Sequence, residues 1–238
     1  MRELYRQEMN CQVVYDSIHR RPGLATIYAL QLDDTIAGFG SMAMGGPWEG
    51  KPTIFEFYVL PEHRCDAFRL FDGLLDATGA RLMQVQSNDA LLAAMLYAYG
   101  REISPLGMVF RDGVTTALPA NGAVLEQTTP DADIGHAIAE RQGGGEWRLR
   151  LDGETVGTGG ILFHYNVPYG DIYMEVAEPF RRRGFGSYLV QELKRLTYEL
   201  GGVPAARCGH DNVPSRMTLQ KAGLVPYAHL LKGSIPAP

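Results

Sequence analysis

The most informative stretch of this chain is residues 171–187, DIYMEVAEPFRRRGFGS. Residues 171–176 read as a β-strand, and leucines at positions 189, 193, 196 and 200 form the apolar stripe of a helix. The loop between them therefore lies at a helix N-terminus, where free backbone N–H groups and the helix dipole favour an anion. Gly184 and Gly186 let the backbone approach a pyrophosphate closely. The stretch predicts a phosphate-binding loop.

Two ordinary explanations of this loop stay open. A Gly-x-Gly before a helix also occurs in simple tight turns, and Arg181–Arg183 is also typical of a solvated surface run. Two other phosphate motifs fit worse. No Gly-Lys-Ser/Thr follows, as a P-loop requires, and the third glycine of a Rossmann fingerprint is missing.

Composition places the chain among ordinary soluble proteins. Its 238 residues are enough for one large or two modest domains, and 45% of them are hydrophobic. The 22 basic and 27 acidic residues give a net charge of −5, so no broad positive field favours nucleic acid. No run of 18 apolar residues and no signal-peptide core is present. We therefore expect no nucleic-acid partner and no membrane association, and the sequence leaves the oligomeric state open.

The three cysteines, Cys11, Cys65 and Cys208, are far apart in the sequence. This spacing favours free thiols in a reducing cytoplasm over a disulfide framework or a zinc site. We expect a cytoplasmic protein without a metal.

The chain also repeats itself. Four pairs of positions match at offsets between 117 and 124 residues, which predicts two copies of one fold. The matching segments are residues 30–40 with 149–160, 59–64 with 176–181, and 88–100 with 212–223.

The two copies differ where a phosphate would bind. After Arg64 the first copy continues as Cys65-Asp66-Ala67-Phe68, without glycine and with an acid in place of an arginine. Turn-forming residues between positions 112 and 127 separate the copies. The sequence thus predicts a degenerate domain without cofactor at 1–115 and a cofactor-binding domain at 126–238.

The order of elements in the second copy predicts an α/β fold with a mixed sheet. Its strands are antiparallel at first and are later joined by a crossover helix. A short helix is predicted at 133–142, and another spans 214–222, with Asn212 as its N-cap.

Two signatures in this copy resemble those of the GNAT acetyltransferases. Arg-x-x-Gly-x-Gly at 181–186 is similar to their acyl-CoA-binding motif, and Asn-Val-Pro-Ser at 212–215, followed by Lys-Ala-Gly-Leu at 221–224, is similar to their second signature. The resemblance covers most of 128–238, and 24–111 only as a degraded copy. It implies two tandem GNAT-like acyl-CoA N-acyltransferase domains, with acetyl-CoA as co-substrate.

The resemblance also assigns cofactor-binding residues. Those that would contact the pantetheine arm are Val176, Ala177, Asn212 and Ser215, and those that would cradle the pyrophosphate are Arg181, Arg182, Arg183, Gly184, Phe185, Gly186 and Ser187.

The implied activity is transfer of an acetyl group to a primary amine by direct attack, with a small molecule or a peptide as acceptor. One departure matters, because many family members carry a tyrosine general acid seven residues after the asparagine, where this chain has Leu219. A thiolate with a pKa near ~8.5 is still a tolerable leaving group. The alternative is a non-catalytic acyl-CoA-binding or sensing module. Substitute acids would be Tyr188, Tyr227, His210 or Ser215.

Glu175 and His210 are the candidate catalytic residues. An amine with a pKa of about 10.4 is mostly protonated at neutral pH, so attack on a thioester needs a base. Glu175 precedes the strand end and lies on the opposite face from Val176, although an exposed structural carboxylate fits equally well. His210 lies between a short strand and Asn212, where a lone histidine is more often a loop or capping residue.

Several neighbours have more ordinary interpretations. Tyr165, Tyr169 and Tyr173 are candidates for lining an acceptor pocket, and core packing is the expectation for Tyr173. Cys208 is expected to be a buried strand cysteine.

Overall fold

The structure is a computed structural model, and it describes residues 1–13, 15–130, 133–134 and 143–236. Most of the helix predicted at 133–142 lies outside these residues. Spatial contacts divide the chain into two compact units, one formed by Met1–Leu106 with Ala228–Pro238 and the other by Gly107–Tyr227. The predicted boundaries at 1–115 and 126–238 follow the sequence copies and stay a prediction.

The first unit joins antiparallel strands to a parallel strand that follows a helix. Its strand order is β1-β2-β3-β4-β11, in which β3 and β4 are parallel and the other pairs antiparallel. Helices α3 and α4 supply much of its core, where the rings of Phe57 and Phe71 meet edge to face at 4.9 Å. Its elements are α1 (Arg2–Met9), α2 (Tyr15–Arg20), β1 (Ala25–Leu32), β2 (Thr35–Ala43), β3 (Thr53–Val59), α3 (Ala67–Thr78), β4 (Leu82–Gln86), α4 (Ala90–Tyr99), the start of β5 (Arg101–Asp112) and the end of β11 (Leu224–Ser234).

The second unit has the strand order β5-β10-β9-β8-β7-β6. Strands β6 to β9 pair antiparallel, and the helix α5 crosses over to β10, which pairs parallel with β9 and antiparallel with β5. This is the predicted order of an antiparallel sheet followed by a crossover, so the α/β class with a mixed sheet is confirmed. The unit's own elements are β6 (Val124–Gln127), β7 (Gly143–Leu151), β8 (Glu154–Leu162), β9 (Tyr169–Val176), α5 (Phe185–Glu199), β10 (Val203–Gly209) and α6 (Val213–Lys221).

The leucine stripe of α5 faces the core of the second unit, as predicted. Leu189 and Leu193 are fully buried against Ile161 and Ile172, and Leu196 and Leu200 are partly buried beside them. A helix with one apolar face must bury that face against the sheet, which fixes where its N-terminus lies.

The two copies of the internal repeat make equivalent hydrogen bonds at the end of the same strand. In each unit an arginine Nε donates to the carbonyl of the last strand residue, and the next backbone N–H donates to the neighbouring strand. The four bonds are Arg64 to Val59 (3.2 Å), Arg181 to Val176 (3.0 Å), Leu60 to Ala37 (2.8 Å) and Ala177 to Val156 (3.0 Å).

Within the described ranges, no helix is long and apolar enough to span a bilayer. In that same part of the chain, no three His, Cys, Asp or Glu side chains are grouped so as to hold a metal ion.

Candidate functional site

The central feature of the second unit is a gap between the parallel strands β9 and β10. Their pairing runs from Tyr169 opposite Val203 to Asp171 opposite Ala205, and β9 then continues to Val176 while bonded only to β8. Because Val203 N–H donates to the carbonyl of Pro168, and backbone direction alternates along a strand, the even-numbered residues of β9 turn their N–H and C=O groups toward the gap.

The loop from β9 to α5 passes through two left-handed residues. Arg182 has φ 60° and Gly184 has φ 90°, and Gly184 is the N-cap of α5 without a side-chain capping bond. The first N–H groups of a helix have no intrahelical partner, so the uncapped start of α5 presents donors. These donors, together with the helix dipole, are suited to a phosphate group.

Two of the three arginines are held in place by the protein itself. Arg181 Nε donates to Val176, and the guanidinium of Arg183 lies 5.4 Å from the ring centre of Phe180 and 5.2 Å from that of Phe185. Asn121 Nδ2 donates to the carbonyl of Arg183 at 3.2 Å. These contacts order the loop and leave three exposed cations around the helix start.

Gly186 allows three elements to approach one another. A Cβ at this position would lie 3.2 Å from Cγ2 of Thr218 on α6 and 3.3 Å from Cγ2 of Val176 on β9. Both distances are tighter than ordinary van der Waals contact. Phe185 and Ser187, the neighbours of Gly186, are buried, so the first turn of α5 is packed against the end of β9.

Asn212 caps α6 as predicted. Its Oδ1 accepts the N–H of Ser215 at 3.1 Å, and Asn212 is exposed while Ser215 is half-buried. The role of both residues along a pantetheine arm stays a prediction, as do the roles of Val176 and Ala177 at the end of β9.

Leu219 belongs to the core of the second unit. Its side chain is 3% exposed and packs with the helix and strand residues around Ala222. The side chain at this position is therefore a packing residue. Of the substitute acids, Tyr188 packs beside Phe185, and burial, followed by the charge of Glu192, raises its pKa.

The two candidate catalytic residues lie at the carboxyl ends of the two diverging strands. Glu175 is exposed on β9 opposite Thr158, and it follows Tyr173 on the face away from Val176. His210 is exposed in the turn after β10, with Nε2 4.0 Å from Oδ1 of Asp211. The topology places them on opposite sides of the gap, and their chemical roles stay predictions.

The expectation that Tyr173 packs in the core is wrong. Its side chain is 39% exposed, and its hydroxyl donates to Oε1 of Glu146 at 3.2 Å. Partial burial, followed by the charge of Glu146, raises its pKa to about 12. Tyr165 is fully buried, Tyr169 is 8% exposed, and Cys208 is 9% exposed, so the strand cysteine is buried as expected.

A cluster of polar side chains, which no sequence pattern predicted, lies where β9 and β10 separate. Asp171 is buried, and its Oδ2 is 3.0 Å from Nε2 of His164. The guanidinium of Arg207 on β10 lies 5.9 Å from the ring centre of Tyr165. His164 and Asp171 are joined by a loop and Arg207 comes from another strand, so no local motif marks them. The one sequence signal that could have pointed to this cluster is the predicted crossover, which pairs β9 in parallel with β10.

The first unit lacks this arrangement at the equivalent place. Its loop is one continuous 3-10 turn, Pro61–Asp66, that leads straight into α3, and Asp66 is the N-cap. Beyond the end of β4, Asn88 Nδ2 donates to the carbonyl of Met9 at 2.7 Å, so the N-terminal segment covers this end of the strand.

Comparison with known proteins agrees with this geometry. Residues 115–224 match the family model described as Acetyltransferase (GNAT) family. A search among curated protein sequences finds no match.

Solved structures show the fold of the whole chain. An acetyltransferase from the GNAT family of Colwellia psychrerythraea superposes with a TM-score of 0.73 at 12% identity, over 99% of this chain and 96% of that one. A tandem GNAT protein from the clavulanic acid biosynthesis pathway gives 0.57 at 15% identity, over 92% and 86%. A GCN5-related N-acetyltransferase from Sphaerobacter thermophilus gives 0.52 at 16% identity, over 87% and 79%. The predicted resemblance to the GNAT family and the predicted fold of two GNAT-like domains are confirmed.

Proposed function

We propose, from the membership of residues 115–224 in the GNAT family, that the second unit binds acetyl-CoA and transfers its acetyl group to a primary amine. One observation carries the proposal. The uncapped N-terminus of α5 lies at the end of β9, directly beside the gap that opens between β9 and β10. A helix start suited to a phosphate group and an open strand edge are thereby next to each other.

The residues present fit the co-substrate. The loop from Arg181 to Ser187 would hold the pyrophosphate through backbone N–H groups and arginine charge, with the left-handed backbone at Gly184 shaping it. Met174 and Val176 turn their backbone groups toward the gap and would bond the amide groups of the pantetheine arm, with Asn212 and Ser215 along its other side.

The bound co-substrate supplies an activated acetyl thioester, and the chain's own residues prepare the amine. Glu175 is an exposed carboxylate at the mouth of the gap and takes a proton from the acceptor's ammonium group. The neutral nitrogen then has a free electron pair for direct attack. His210 on the opposite rim is the second candidate for this proton.

A second candidate function is a non-catalytic acyl-CoA-binding module. Leu219 favours it, because a buried leucine cannot protonate the departing thiolate. A thiolate with a pKa of about 8.5 can leave without a general acid, so this residue slows the reaction without forbidding it.

One experiment decides between acetyl transfer and a non-catalytic binding module. The protein is incubated with acetyl-CoA and a panel of primary amines, and free thiol and the mass of the acceptor are measured. Acceptor-dependent thiol release and an acetylated amine are expected. Acetyl-CoA binding by calorimetry, with no acceptor turned over, would contradict transfer and support the binding module.

We also propose a cytoplasmic location without nucleic-acid or membrane partners. The cysteines in the described residues are free, and the exposed Cys65 is compatible with a reducing compartment.

A further inference from the structure

We propose that the acceptor is an amino acid, whose carboxylate binds Arg207 while its amine lies toward Glu175. This inference rests on the proposed acyl transfer and names the substrate class of the same site. It follows from strand register, from burial and from the pairing of charges in the second unit.

Strand register puts the two side chains on one face of the sheet. Asp171 is paired with Ala205, so their side chains point to the same side. Alternation then places Glu175 on β9 and Arg207 on β10 on that side too. Both residues lie beyond the last pair, where the strands have separated, so they border the gap from opposite sides, with Glu175 two residues further along β9 than the position opposite Arg207.

The two rims of the gap carry opposite charge. On β9 the exposed group is the carboxylate of Glu175, and on β10 it is the guanidinium of Arg207. An amino acid at neutral pH carries an ammonium group and a carboxylate. It would complement both rims at once, whereas a simple amine would leave the cationic rim unpaired.

Arg207 keeps its charge available because Asp171, the buried acid on the same face of the sheet, is already engaged. Asp171 is 7% exposed, and its Oδ2 is 3.0 Å from Nε2 of His164. No carboxylate among the described residues lies within salt-bridge distance of Arg207. A guanidinium that is not paired with a carboxylate of the protein is suited to bidentate binding of a ligand carboxylate.

Tyr165 holds Arg207 without neutralising it. The fully buried Tyr165 ring lies 5.9 Å from the guanidinium. Burial, followed by the charge of Asp171, raises the pKa of the Tyr165 phenol well above its ordinary value, so the phenol stays neutral. The contact therefore positions the arginine and leaves its positive charge for the acceptor.

Arg111 provides a matched control. It lies on β5 opposite Ala205, on the same face of the sheet, and its guanidinium stacks on the ring of Tyr227 at 4.9 Å. It is a cation of the same type one strand further from the gap. Arg111→Gln removes one positive charge from this face without touching the rim of the gap.

The test compares free amino acids with their carboxamides as acceptors, because amidation removes the negative charge and little else. Wild-type protein should prefer the best amino acid over its amide by about 10- to 100-fold in kcat/KM. Arg207→Gln should abolish this preference through KM, and Arg111→Gln should retain it. Arg207→Glu should favour the amide.

A binding measurement separates this inference from acyl transfer itself. Calorimetry with CoA-loaded protein should show the amino acid binding to wild type and to Arg111→Gln, but not to folded Arg207→Gln. If CoA binds and no amine is acetylated, the proposed activity fails and calorimetry still decides the role of Arg207. Equal use or binding of acids and amides, or an undiminished preference in Arg207→Gln, would overturn the inference.

Discussion

The strand-to-helix loops of the two units begin alike and end differently. In both, a valine ends the strand, an arginine five residues later bonds its carbonyl, and a 3-10 turn has a proline as its first or second residue. The first loop then continues without interruption into α3. The second leaves the turn at Arg181, passes through left-handed backbone at Arg182 and Gly184, and only then starts α5.

From this difference we infer that the fold and the proposed anion site depend on different residues. Both units keep the strand, the turn and the packed helix, which depend on apolar burial and on the shared hydrogen bonds. The proposed anion site depends on a few positions at the helix start. Neither N-cap makes a side-chain capping bond, but Asp66 brings a negative charge to the first helix start, whereas Gly184 brings none to the second.

The units also differ on the sheet face opposite their crossover helices. In the first unit Glu56 is fully buried and bonds Arg2 of α1 and His19 of α2. Its counterpart in the second repeat is the exposed Tyr173. In the first unit, α1 and α2 thus cover this face of the sheet at Glu56. In the second unit, the same face is accessible at Tyr173.

The largest effect is expected at the open face. Glu175→Gln should lower turnover by about 10²- to 10⁴-fold, preserve acetyl-CoA affinity, and remove the acidic limb of the pH–rate profile, because the base is lost. Steady-state kinetics across pH measures this. Wild-type rates in the folded variant would show that Glu175 is structural, and His210→Ala, made in parallel, would then test the other rim.

A substitution on the covered face of the first unit should change stability and not turnover. Glu56→Ala leaves Arg2 without its most buried partner, so unfolding free energy should fall by about 2 to 4 kcal/mol in a denaturant titration. CoA affinity, measured where the variant is folded, should not change. A loss of CoA affinity in the folded protein would mean that the first unit takes part in binding.

Backbone strain offers a way to break the site without touching its charges. Gly184 and Gly201 both have left-handed φ, 90° and 75°. A new Cβ would meet open space at Gly201 and would lie 3.5 Å from Nδ2 of Asn121, an ordinary van der Waals contact, at Gly184. Valine at either position strains the backbone by about 1 to 3 kcal/mol. Gly184→Val should weaken CoA binding about 10- to 100-fold, while Gly201→Val should lower stability only. Equal affinities in the two variants would remove the loop from the site.

The N-cap of α4 in the first unit should make the stability of the protein depend on pH. Asp89, the buried cap of α4, also accepts the Tyr5 hydroxyl, and burial raises its pKa from 3.8 to about 7. The folded state then holds a proton that the unfolded state releases, so stability should fall as pH rises from about 4 to about 7. Asp89→Asn should flatten this dependence in denaturant titrations. A variant with the wild-type slope would show that another group titrates.

The sequence predicted the repeat, the sheet class and the N-cap of α6 because each rests on local patterns. The leucines of α5 and the capping asparagine act within one or two turns of helix, so their spacing is visible in the chain. The group around Asp171 was not predictable in this way. It depends on where the parallel pairing of β9 and β10 stops, a tertiary property that no local spacing encodes.

Tyr173 illustrates the same limit. An aromatic residue in a central strand is usually core, and alternation leaves open which face is covered. The covering of the equivalent face in the first unit comes from α1 and α2, which lie far away in the sequence from the strand they cover.

The stoichiometry of CoA binding tests the difference between the two units most directly. Isothermal titration of the full chain with CoA should give one site per chain, and Gly184→Val should weaken that single site. Two comparable sites, or one site unaffected by Gly184→Val, would contradict the assignment of binding to the second loop alone.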